Sequence, residues 1–119
     1  MGTIESLQAA RDAAVELRRT HRLLAQLDKD ARSGQRVSKR YHASLLNRLD
    51  PCERATDNGR AVLDSMEVVG CARGWVLDAM RLYYLDALTW PEVGGLVCYS
   101  GGHVRRMVTA ALDADERMG

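Results

Sequence analysis

Two prolines, Pro51 and Pro91, are all that 119 residues contain, and the cysteines number three. With so few helix breakers and so much Ala, Leu, Arg and Asp, an all-α fold is the natural expectation. Cys52, Cys71 and Cys98 include no Cys-x-x-Cys pair. Buried, reduced thiols are therefore expected rather than a disulfide framework. No run of about eighteen apolar residues exists and the first twenty residues alternate charge and alanine, so neither a membrane span nor a signal peptide is expected, and a cytoplasmic location is. His21, His42 and His103 have no metal-ligand spacing with one another or with the cysteines. Nucleophile–base pairs and glycine-rich phosphate loops are missing as well. The chain reads as a protein that is not an enzyme and holds no metal or cofactor.

A single sign of charge is lacking too, since the formal net charge is +1. Its distribution is uneven. Residues 1–49 carry ten basic and five acidic side chains, a net +5, whereas residues 50–119 carry seven basic and eleven acidic, a net −4. A basic footprint over the whole C-terminal part is absent, so any nucleic-acid contact there is local, and the N-terminal part is a candidate source of attraction.

Apolar periodicity organises the chain. Ala10, Ala13, Leu17, Leu24, Leu27 and Ala31 recur at a 3-4 spacing, which predicts a long first helix from about Ile4 to Arg32, ended by Ser33-Gly34. Val37, Tyr41, Leu45 and Leu49 predict a short second helix over 38–49. Asp50-Pro51-Cys52-Glu53 carries the signals of a new start, with Asp as N-cap and Pro in the first turn. The expected organisation is a helical arm over 1–49, for packing or dimerisation, and a trihelical domain over 50–119. Val62, Met66 and Val69 continue one apolar face, and residues 75–88 are apolar nearly all round, as a central buried helix must be. Trp90, Tyr83, Tyr84 and Tyr99 are expected to pack in or around the core.

The last third, LDALTWPEVGGLVCYSGGHVRRMVTAAL, is the most informative. Thr89 and Glu92 form a capping box with Pro91 in the first turn, and Ser100 is a second N-cap candidate. Trp90, Val93, Leu96 and Val97 supply packing side chains to the first short helix, and Gly94 falls where two helices approach closely. On the following helix, Val104, Val108 and Ala111 face inward. Gly102, Arg106 and Thr109 point away, with His103 and Arg105 at the sides. A short helix, a tight turn and a longer basic helix outline a helix-turn-helix, which sets one helix in the major groove of DNA. The candidate DNA-binding residues are Ser100, Gly101, Gly102, His103, Arg105, Arg106 and Thr109. The arginines suit guanine edges or phosphates, and the glycines allow close approach to a phosphate at the helix N-terminus.

The stretch MRLYYLDALTWPEVGGLVCYSGGHVRRMVTAALDA resembles the helix-turn-helix of region four in bacterial sigma factors. It is closer still to small phage and prophage late-gene regulators of the ArpU and RinA kind. Matching positions include Arg81, Tyr83, Tyr84, Leu88, Trp90, Glu92, Val93, Gly94, Leu96, Tyr99, Ser100, Val104, Arg106, Ala111 and Leu112. Ala87 and Cys98 stand where that group commonly has a turn glycine, and Gly101-Gly102 replace larger polar residues. The resemblance implies a transcriptional regulator that binds double-stranded DNA, as a monomer or homodimer. Two other readings stay open: a module that contacts RNA polymerase or another phage protein without reading DNA, and a recognition subunit of DNA packaging.

Overall fold

Five helices make up the computed structural model, which describes residues 2–118. They are α1 (Thr3–Arg32), α2 (Lys39–Val69), α3 (Gly74–Tyr84), α4 (Trp90–Val97) and α5 (Gly101–Met118). The fold is all-α, as the composition requires. Its outline is elongated, 55 × 30 × 17 Å.

α1 and α2 form an antiparallel hairpin. Gly34, at φ 86°, takes the chain out of α1, and the Ser38 hydroxyl accepts from the Tyr41 amide at 3.2 Å to start α2. Arg48 reaches Glu16 at 3.8 Å, and nearer the body Gly59 lies against Ala10. A Cβ on Gly59 would sit 2.4 Å from that of Ala10, so this pair of small residues sets how closely the helices cross.

The expected helix start at Asp50 does not occur. α2 runs from Lys39 to Val69 with Pro51 inside it. Proline removes one helical donor, that for the Asn47 carbonyl, but Asn47 and Pro51 are both exposed and water can serve that oxygen. Leu45 and Leu63, fully buried on either side of the proline, hold the helix through. The anticipated division between residues 49 and 50 therefore falls within one continuous helix. Asn58-Gly59 causes no interruption either. Val69 is half exposed, and Leu63 and Met66 carry the core face of α2.

Gly70, left-handed at φ 82°, caps α2, and Gly74 at φ 61° turns the chain into α3. α3 touches all four other helices and buries Leu77, Ala79 and Met80. The apolar run does not remain one helix to residue 88, because α3 ends at Tyr84 and Ala87 turns left-handed at φ 57°. Leu7 of α1 belongs to the same core as Met66, Leu77, Met80, Val93, Val104 and Val108. The N-terminal half of α1 is thus a wall of the domain. All three cysteines are free, but none is fully buried, and Cys98 is exposed. That corrects the expectation of buried thiols.

Candidate nucleic-acid interface

The capping box forms as its spacing requires. Thr89 Oγ1 accepts from the Glu92 amide at 3.4 Å, and Glu92 Oε1 accepts from the Thr89 amide at 3.0 Å. The bond from the Thr89 amide and then that from the Thr89 hydroxyl, which donates to Glu92 Oε1 at 2.9 Å, hold the Glu92 carboxyl below the usual range for its type, with smaller help from the charges of Arg18 and Arg11. At the other end, Cys98 closes α4 in the left-handed region at φ 67°, and the Tyr99 amide donates to Gly94 O at 3.1 Å. Ser100 Oγ then accepts from the His103 amide at 3.2 Å and starts α5. Both turns flanking α4 are therefore left-handed at a non-glycine residue, Ala87 and Cys98.

Gly94 permits the tight turn. A Cβ there would lie 2.5 Å from Tyr99 O and 3.0 Å from Gly101 N. Gly101 packs similarly: its Cβ direction meets the Trp90 and Pro91 backbone at 3.2 Å. It is a glycine of helix–helix contact. Gly95 has nothing within 4 Å of its Cβ position. Leu96 was expected to pack but is 64% exposed.

On α5, Val104, Val108, Ala111 and Leu112 are buried against the core. Arg105, Arg106, Thr109 and Gly102 are exposed on the outer side. Neither arginine has an acid within ion-pair distance among the described residues, whose ion pairs all lie elsewhere. The Arg106 guanidinium lies near Gly102, 3.7 Å from where a Cβ would be. Thr109 Oγ1 donates back to the Arg105 carbonyl at 2.8 Å, leaving its oxygen free to accept. His103 departs from the expected set. Its ring is held by Trp75 at 5.7 Å and Tyr99 at 5.1 Å, and those two stack at 4.4 Å. The three rings brace the turn against α3, so His103 is half buried and positioned rather than free.

Sequence reading missed the clamp on this unit. Arg11 of α1 donates to the carbonyls of Tyr83 and Leu88, the latter at 2.9 Å, and Arg18 donates to that of Asp86. These acceptors flank Ala87, whose left-handed backbone is unfavourable by about 1–2 kcal/mol for a side-chain-bearing residue. Two charged donors at the end of α3 offset that strain. The Arg11 guanidinium also lies 3.8 Å above the Tyr83 ring, which stacks on Trp90 at 3.7 Å. α1, α3 and α4 are thus tied at one point. Burial, more than neighbouring Tyr83, raises the Tyr84 phenol above its ordinary value.

No helix is long and apolar enough to cross a membrane, and no group of three or more metal-ligating side chains occurs among the described residues. Comparison with protein-family models, with curated proteins and with solved structures finds no match.

Proposed function

We propose that the protein is a DNA-binding transcriptional regulator of phage or prophage type, with α4–α5 as its helix-turn-helix and α5 as the helix that enters the major groove. One observation carries this reading: Arg106 and Thr109 stand exposed on the outer side of α5 and Arg105 is exposed at its flank, both arginines lie near the helix N-terminus, and neither guanidinium has an ion-pair partner among the described residues. That is the part of a helix-turn-helix that meets base edges and phosphates. Ser100, whose oxygen caps the helix, keeps its O–H to donate outward. Gly101 and His103 act behind this face by fixing the turn.

The test is fluorescence anisotropy of the full chain on labelled duplexes, including fragments selected from a phage genome, at several salt concentrations. The Arg105→Ala/Arg106→Ala variant is expected to lose about 1–3 kcal/mol of affinity for each base-reading arginine. Unchanged affinity removes α5 from the interface.

A second reading rests on Leu96, 64% exposed on α4, beside Tyr99, 45% exposed. A leucine and a tyrosine open to water suit a protein surface such as that of RNA polymerase. Saturable capture of polymerase without DNA, lost in Leu96→Asp, would favour it.

A further inference from the structure

The basic side chains of the N-terminal half separate into two groups. Arg11 and Arg18 are engaged by backbone carbonyls of the α3–α4 turn. Beyond Arg18 the α1–α2 hairpin projects as a two-helix finger. α1 alone continues for about 20 Å at 1.5 Å per residue. Thr20 and Leu45 are its last tightly buried side chains. Residues 19–48 of this finger carry eight basic and two acidic side chains, a net +6, so the rest of the chain is −5. Asp28 is paired with Arg32, and Asp30 accepts from Gln26 at 2.8 Å. Arg19, Arg22, Lys29, Arg36, Lys39 and Arg40 are exposed, and none has an acid within ion-pair distance among the described residues.

We infer that the hairpin finger is a second contact surface for duplex DNA, gripping phosphates without reading bases. Charge complementarity argues for this occupant. Duplex DNA carries one charge per about 1.7 Å of axis, so a finger about 20 Å long lies beside on the order of ten phosphates. The helix-turn-helix needs such help, because it belongs to a body of net −5 whose last helix ends in Asp113, Asp115 and Glu116. Two arginines on an acidic body give little long-range attraction, whereas a cationic finger steers the polyanion to it. The inference rests on the DNA-binding reading of α5 only for the choice of duplex DNA as occupant.

The experiment measures binding of the full chain to a labelled random-sequence duplex over a salt series. The finger variant is Arg22→Gln/Lys29→Gln/Arg40→Gln. The control, Arg54→Gln/Arg73→Gln/Arg117→Gln, removes the same charge from exposed positions outside the finger. With about 0.9 ions released per phosphate contact, the finger variant should flatten the slope of log affinity against log salt by about 2–3 and weaken binding about tenfold or more. The control should leave the slope unchanged. Equal effects of both variants, an unchanged slope in the finger variant, no wild-type binding, or displacement by polyglutamate as effective as by duplex of equal charge would each overturn the inference. The Arg105→Ala/Arg106→Ala variant separates the two surfaces. If it alone loses affinity, the finger fails and the α5 reading stands; if the finger variant alone does, the reverse holds.

Discussion

Gly94 and Gly95 are neighbours in α4, and replacing each with alanine should have opposite effects. In an exposed helix interior, alanine is favoured over glycine by up to about 1 kcal/mol. At Gly95 nothing lies within 4 Å of the new methyl group, so that gain should appear nearly whole. At Gly94 the methyl group would meet Tyr99 O at 2.5 Å, Gly101 N at 3.0 Å and Ser100 C at 3.2 Å. All three are backbone atoms, so no side chain can swing aside. Moving Tyr99 O back also pulls on the Tyr99 amide, which donates to Gly94 O at 3.1 Å. Overpacking of this kind is unfavourable by about 1–3 kcal/mol, and loss of the bond adds about 1 kcal/mol. Against the helical gain, Gly94→Ala should be destabilised by about 2 kcal/mol net, or roughly 8 °C in Tm for a chain of this size. Gly95→Ala should rise by about 3 °C. Thermal unfolding followed by circular dichroism reads both. Equal stability of the two variants would refute the close approach of α4 to the turn, and with it the seating of α5.

Two further measurements examine the structure at a distance from that turn. Thr20 is buried with its hydroxyl unpartnered. Thr20→Val keeps the branched shape and relieves an unpaired polar group, so it should stabilise the hairpin by about 1 kcal/mol, and a fall in Tm would contradict this packing. The Glu92 carboxyl is held below its ordinary value of 4.5 in the folded chain. The stabilisation it provides is complete above the unfolded value and disappears as pH falls through the folded one. Urea midpoints of wild type and Glu92→Gln should therefore differ at neutral pH and converge in acid. A gap that widens in acid would reverse the sign of the argument.

Short-range signals account for what was legible beforehand. The Thr89–Glu92 box, the Ser100 cap and the Val104–Val108 stripe each depend on residues within one or two turns of one another, so spacing alone specifies them. The same holds for Gly34 at the end of α1. Asp50-Pro51 shows the limit: a sound local start signal lost to the burial of Leu45 and Leu63 against α1, because packing along a long helix outweighs one missing amide.

The amino-acid order alone settled an all-helical chain, the caps around α4 and α5, and which face of α5 turns inward. Tertiary structure decided the rest. Only the folded chain brings Arg11 and Arg18 to carbonyls 68–77 residues away, stacks His103 on Trp75 and tilts it against Tyr99, turns Gly101 toward Trp90, and leaves Leu96 in water. The physical reason is range. A cap or a periodic stripe is fixed by the pitch of one helix, whereas a long side chain finds its partner only once the crossing of separate helices has placed donor and acceptor within reach.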